Sequence, residues 1–470
     1  MNSLWTSSAT IKAVEGICTR KDDWRATSVE IDSRKVTEGS LFFAIIGPNN
    51  DGHDYLKNVA SQGAVAAIVA KDRLDKYKDI NLPLVVVEDT TKALYDLASA
   101  ARDRMQGKVI AITGSVGKTG TKEGLKAAFS ELGKTHATEG NLNNDFGLPL
   151  TMCRMPQDSD FSILEMGMNH ADEIRPLSKL ARPHLAIITT VAPVHIEFFS
   201  GIQGIADAKA EIFEGLDENG KCILLREHGL FHHLRARARD LGIKNKNILT
   251  FGSHESALYR LTNLTLSPTV TTIEANLNGK SLTYEIFMPG DHWAINSLSI
   301  LAAVDALDGD ITLAAQGFKN WHPGKGRGQR YEFPLPKGGN ALLIDESYNA
   351  SPPAMKAAFR ILADIPTATG KKIAVLGDML ELGDAGKSLH LGLAKELESA
   401  QIDAVYCCGP LMREMYDALP SKIRKLHLPD SSELFEKVLS DLCDGDIVLV
   451  KGSLGSRMVP VSDSFIALSS

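Results

Sequence analysis

Long apolar runs are missing from this 470-residue sequence; a segment such as residues 41–46 (LFFAII) falls far short of the roughly 20 residues that cross a bilayer. No basic stretch followed by an apolar one opens the chain, so no secretory signal is expected. Cysteine is sparse. Its six residues (Cys18, Cys153, Cys222, Cys407, Cys408, Cys443) form no C-x-x-C pair, which gives no sign of a zinc site or a disulfide framework and fits a reducing cytoplasm. Positive charge is not in excess either. With 51 Lys and Arg against 58 Asp and Glu the net charge is −7, which argues against general nucleic-acid binding. A local basic pocket for an anionic small molecule stays open. No internal repeat or low-complexity tract occurs.

What is present reads as three blocks of α/β character, more than one ordinary core can hold. Residues 1–105 mix short strand-like runs (SLFFAIIG, AVAAIVA, LPLVVVED) with a polar loop, GPNNDGHDY, and close on a helical stretch, TKALYDLASAARDRM. Residues 106–325 alternate strands (KVIAIT, FSILEM, LAIITTV, KCILL) with helix-length segments, the pattern of a mostly parallel sheet. Antiparallel-type strands follow, then a helix expected to use Asp291 as its N-cap. The stretch 320–330, NWHPGKGRGQR, reads as a linker, and residues 326–470 alternate again as a second, Rossmann-like doubly wound sheet.

The strongest local signal is VIAITGSVGKTGTKEGL, residues 109–125. A strand runs into a glycine turn and then a helix start, where free backbone N–H groups meet an anion. Gly114 and Gly117 permit the tight path, Lys118 supplies a charge to phosphates, and the Thr119 hydroxyl suits Mg²⁺. The loop departs from G-x-x-x-x-G-K-[ST], because Ile112 stands where that pattern has its first glycine.

Other candidates sit at strand ends. Glu165 could hold Mg²⁺ opposite Thr119, or simply pair with a neighbouring base. His195 could ligate a metal or be structural, and Lys209 reads from the residues alone as a solvated helix lysine. Polar clusters follow three later strands: Asp345, Glu346, Tyr348 and Asn349; Asp378 and Glu381; Lys451 and Ser453. Together they suggest one continuous site edge.

Taken together these residues resemble the ATP-dependent Mur ligases, whose glycine loop is T-G-x-x-G-K-[ST], here Thr113, Gly114, Ser115, Val116, Gly117, Lys118 and Thr119. Four stretches (DSRKVTEGSLFFAIIGPNNDGHDY, GNLNNDFGLPL, LEMGMNH, DESYNASPPAM) point to the branch that joins D-alanyl-D-alanine to a UDP-N-acetylmuramoyl-tripeptide in cytoplasmic peptidoglycan precursor synthesis. The D-Y-A-H-T-P pattern of the sibling that adds the third amino acid is absent. A sibling with another donor, or a folate-polyglutamate-type ligase, is the alternative reading.

The resemblance implies a UDP-sugar-binding first domain, a central ATP-binding domain and a third domain for the amino donor. It implies ATP phosphates on Lys118 and the loop, one Mg²⁺ on Thr119 and Glu165, and a second involving His195. Lys209 matches the lysine that such enzymes carbamylate with CO₂. Asn296 would approach the adenine, Arg327 or Arg330 the phosphates, and the 345–349 cluster the ribose. Asn143 and Asn144 would touch the sugar-peptide, while Ser33, Arg34, Asp51 and His53 would lie near its UDP end. The working unit is expected to be a monomer. Three places depart from the family's pattern: Gly120, Trp293, and the turn Arg226, Glu227, His228.

Overall fold

The computed structural model of the chain describes residues 3–77, 79–194, 196–267 and 269–469. Three α/β sheets follow one another along the chain, with a small two-stranded ribbon, Trp5–Thr6 against Arg25–Ala26, beside the first. In the first sheet the strands lie in the order Ile17–Cys18, Leu84–Val87, Ala66–Ala70, Ser40–Phe43, Ser28–Glu30, parallel except for the first.

The helix that closes this block, Thr90–Arg104, starts where the Asp89 carboxylate accepts the Thr91 and Lys92 N–H groups at 2.7 and 3.0 Å. Its buried positions, Ala93, Leu94, Leu97, Ala98 and Ala101, recur at three and four residues and form one face. That face belongs to a core shared with the second block, in which Trp5, Leu41 and Ile68 pack in one cluster with Leu148, Met152 and Leu164. The Arg104 guanidinium lies 3.7 Å over the Trp5 ring and donates to Met155 O at 3.0 Å. Arg154 donates to Glu30 at 2.6 Å from the other side. Emptying one buried tryptophan site of this kind costs roughly 3–5 kcal/mol, so the first two blocks are held together as firmly as a single domain.

The nine-stranded central sheet has the order Lys280–Ile286, Thr271–Leu277, Tyr259–Leu266, Ile248–Gly252, Lys221–Leu225, Leu185–Ile188, Lys108–Thr113, Phe161–Glu165, Thr135–Ala137. Pairing is parallel from Thr135–Ala137 through Tyr259–Leu266 and antiparallel beyond. Lys108–Thr113 therefore lies between the strand ending at Glu165 and the one leading to Thr189. Glu165 pairs with Ile112, and Ile188 with Thr113. Ile112 is fully buried strand, which explains why no glycine is needed there.

The third sheet runs Gln329–Pro334, Asn340–Glu346, Ile447–Lys451, Lys372–Gly377, Ala404–Cys408, Arg424–Leu428, all parallel but the first. Its two faces carry separate cores, neither shared with the other blocks.

Three expectations need correction. The linker is shorter than residues 320–330, because Gln329 and Arg330 already pair with Asp345 and Ile344 as the edge strand. Glycines at 324, 326 and 328 mask its start in the sequence. The helix Asp291–Ala306 is capped by Gly290 at φ 120°, not by Asp291, whose side chain bonds the next residue's N–H instead. Strands Thr135–Ala137, Ile248–Gly252 and Arg424–Leu428, not foreseen, complete the two larger sheets. No helix among the described residues is long and apolar enough to cross a membrane.

Lys325, whose side chain is 65% exposed, should be the first site of limited trypsin cleavage, leaving the first two sheets in one resistant fragment. A first cut between those two sheets, seen by mass spectrometry, would refute the shared core.

Candidate nucleotide and metal site

The strand Lys108–Thr113 delivers the chain into the turn, and Gly117 at φ 88° starts the helix Lys118–Ser130. The turn is pinned from the neighbouring strand end. Ser115 N–H donates to Thr190 O at 2.8 Å, Ser115 Oγ to Ala192 O at 3.0 Å, and Thr189 Oγ1 to Val116 O at 2.7 Å. The Thr113 hydroxyl donates to Met166 O at 2.8 Å. A Cβ on Gly114 would stand 2.0 Å from Thr189 Oγ1, so only glycine lets this brace form. Lys118 reaches back over the turn and donates to Gly114 O at 2.5 Å.

Glu165 faces the start of that helix. Its Oε1 accepts Thr119 Oγ1 at 3.2 Å and Asn143 Nδ2 at 2.8 Å, while its buried Oε2 has no hydrogen-bond partner among the described residues. An orphaned carboxylate oxygen beside a hydroxyl is a hard-oxygen donor set, which fits Mg²⁺ sharing the remaining positions with phosphate and water. No cluster of three or more His, Cys, Asp or Glu that could hold a metal occurs among the described residues. His195 lies outside the described residues.

Lys209, near the end of helix Ile202–Ala210, is 3% exposed. Burial pushes its pKa well below the ordinary lysine value, and the nearby positive Lys118 pushes it further. Burial also lowers the pKa of Lys118, opposed by Glu165 and reinforced by Arg327. Sequence reading saw nothing unusual in Lys209, because burial is a property of the fold.

The linker and third sheet meet this site through Arg327, whose guanidinium lies 4.4 Å over the Tyr348 ring. Asp345 is fully buried and holds the linker. Its Oδ2 accepts Gly326 N–H at 2.9 Å, and its Oδ1 accepts the Ser347 hydroxyl at 2.6 Å. Lys451 Nζ donates to Glu346 at 2.8 Å and to Asn349 O at 3.0 Å. Asp378 accepts Met412 N–H at 2.8 Å and the Ser453 hydroxyl accepts Leu380 N–H at 3.0 Å, so these strand-end clusters also brace their own loops.

Other expected residues stand apart. Ser33 begins a short 3-10 turn, and exposed Arg34 folds back on Asp32 at 2.9 and 2.7 Å. Those bonds pull the Asp32 pKa down to about 2. Fully buried His53 spends both ring nitrogens internally, on Asp51 at 2.6 Å and on Ala70 N–H at 2.9 Å. Asn144 Oδ1 accepts Gly147 N–H at 2.9 Å, starting the next helix, and Asn296 abuts Gly117.

Two of the departures explain each other. A Cβ on Gly120 would lie 2.6 and 2.8 Å from the indole of Trp293, and one on Gly124 within 2.9 Å of the Trp321 indole. One helical turn apart, these glycines form a flat strip under two tryptophans whose rings meet edge to face at 5.4 Å. Trp321 is fully buried and its indole N–H donates to Gly120 O at 2.9 Å. Each glycine costs the helix about 1 kcal/mol relative to alanine, which the buried indoles offset. Its mark in the sequence is the G-x-x-x-G spacing of residues 120–124. At the third departure, the His228 ring bonds Val191 O at 2.7 Å and Glu227 accepts Ser253 N–H at 2.8 Å, so the turn braces the segment leading toward residue 195.

Comparison with known proteins agrees with this geometry. Residues 25–102 match the Mur ligase family catalytic domain, 112–304 the Mur ligase middle domain, and 329–454 the Mur ligase glutamate ligase domain. The chain is 33% identical to the UDP-N-acetylmuramoyl-tripeptide–D-alanyl-D-alanine ligase of Rickettsia prowazekii, across 93% of this chain and 94% of that one. It is 32% identical to the enzyme of the same name from Escherichia coli K12, with 92% of each covered. Among solved structures it is similar to MurF from Acinetobacter baumannii, with TM-score 0.84, 27% identity, and coverage of 98% of this chain and 99% of that one. It is also similar to MurF ligase from Thermotoga maritima in complex with ADP, with TM-score 0.76, 27% identity, and coverage of 94% and 97%.

Replacing Gly114 with alanine should lower ATP affinity at least about tenfold, some 1.4 kcal/mol, because the new methyl expels the Thr189 brace. Calorimetric titration of a folded variant with unchanged affinity would refute the assignment of the turn.

Proposed function

The chain belongs to the Mur ligase family, and from that premise we propose that it joins D-alanyl-D-alanine to UDP-N-acetylmuramoyl-tripeptide at the expense of ATP, forming ADP and phosphate. The observation that carries the reading is the site where Thr119, Glu165 and Asn143 converge beside Lys118. The tripeptide's terminal carboxylate attacks the γ-phosphate, breaking its bond to ADP and giving an acyl phosphate. The donor's neutral amine then attacks that carbonyl; the C–O bond to phosphate breaks and the nitrogen sheds its proton.

Because the first step brings anions together, neutralising charge is the main task of the site. Lys118 holds its ammonium over the phosphate turn, and Arg327 comes from the linker side. Thr119 and Glu165 would hold Mg²⁺, which when bound shields the phosphate oxygens. His195 would serve a second Mg²⁺. Asn143 fixes the Glu165 carboxylate while its other oxygen stays free for the metal. We place the UDP end at the first sheet, where the Arg34 guanidinium would exchange Asp32 for a phosphate, near Ser33 and the Asp51–His53 loop. Asn144 and Asn143 border the sugar-peptide, Asn296 the nucleotide, and residues 345–349 its ribose side. ATP and UDP-sugar substrates fit a cytoplasmic setting, and the proposed working unit is a monomer.

Lys209 is suited to carbamylation, since only a neutral amine attacks CO₂ and burial beside Lys118 shifts the balance toward that form. The sign follows: carbamate forms as pH rises through that lowered pKa and is lost below it. The product is an anion, which removes the repulsion with Lys118.

Phosphate release should require ATP, the UDP-linked tripeptide and D-alanyl-D-alanine together; release with another amino donor in place of the dipeptide would favour a sibling ligase. Lys118→Ala should abolish turnover while the circular dichroism spectrum is kept, and near-normal rates would sink the loop assignment. Lys209→Ala should lose activity, recover part of it with small added carboxylic acids, and lack the carbamate signal that wild type gives with isotope-labelled bicarbonate. No rescue and no signal in wild type would count against carbamylation.

A further inference from the structure

The linker between the second and third sheets is held at both ends by unrelated contacts. At its start, Trp321 is clamped to the phosphate-loop helix through Gly120 O, Gly124 and the edge of Trp293. At its far end, Gly326 belongs to the third sheet: its N–H donates to Asp345, its carbonyl accepts Tyr348 N–H at 3.1 Å, and its φ of 72° suits glycine. Only residues 322–325 lie between these anchors, and Arg327 follows directly. Lys325 is tied to Asp463 of the third block.

We propose that Trp321 is the fixed end of a four-residue hinge that delivers Arg327 to the nucleotide phosphates, and that Gly120 and Trp293 form one coupled pair that seats it. The proposal rests on the nucleotide reading above. Movement of the third sheet then pivots beyond Trp321, and the orientation of the loop helix sets where the pivot stands. Trp321, Trp293 and Gly120 act through Arg327 and Lys118 without touching substrate; they are positioning residues. Gly120 has to lack a side chain because the Trp293 ring edge occupies that space. Shortening Trp293 to leucine removes the ring atoms that a Cβ at 120 would strike.

The test is a set of four variants assayed beside wild type, whose own turnover checks the ligase reading independently. Trp321→Phe keeps a ring but loses the bond to Gly120 O. Assayed well below its own melting temperature, it should lower kcat about tenfold while the KM for ATP stays close to wild type. Gly120→Ala and Trp293→Leu should each lower kcat, the alanine more. The double variant should return to within about threefold of wild type, a coupling that independent sites do not show. A Trp321→Phe kcat within twofold of wild type, or a loss in which the KM for ATP rises as much as kcat falls, would overturn the hinge assignment. Additive effects of Gly120→Ala and Trp293→Leu would overturn the pair.

Discussion

Two lysines stand close enough to repel one another beside a single carboxylate, and the site is organised around that repulsion. Lys118 has its charge supported by Glu165; Lys209, more deeply buried, gains no comparable support from the described residues and is driven toward the neutral amine. Burial makes each charge costly and strengthens the field between them. A phosphate in the turn or a carbamate on Lys209 would relieve the strain; ATP brings the first and CO₂ the second. The free oxygen of Glu165 belongs to the same balance, since a cation placed there needs anions on its other side.

The blocks are joined unequally. One core runs through the first sheet into the central one, while the third sheet keeps two cores of its own. Contacts from the third block to the central site are fewer and more polar, such as the approach of the Gly383 turn to Glu197 and the charges of Glu346 and Lys451 near His292. A ligase that must admit three substrates and then exclude water needs one joint that moves and others that do not.

Much of this was legible in the sequence because it is local. A strand, a glycine turn, Lys118 and Thr119 lie within a dozen residues, and the alternation of strands and helices announced the larger sheets. Glu165 was legible as a strand end, but its pairing with Thr119 required the register that sets it beside Ile112. Lys209 was legible only through resemblance, since no pattern of neighbours encodes burial. The tie between Trp321 and Gly120 spans 201 positions, and nothing local marks either partner as half of a pair. Asp345 shows the opposite case: a conspicuous acid at a strand end spends its oxygens on the Gly326 N–H and the Ser347 hydroxyl. The edge strand Gln329–Pro334 was hidden by the glycines before it.

The short span between Trp321 and Gly326 also has a concentration attached to it. Five chain steps reach at most roughly 17 Å, so Arg327 samples a volume so small that its local concentration is on the order of millimolar or more. Opening the third block therefore dilutes the arginine only slightly, and its return is an intramolecular event. Linker length in this chain acts as a kinetic parameter: each inserted residue would thin the arginine around the phosphates without altering any contact in the closed enzyme.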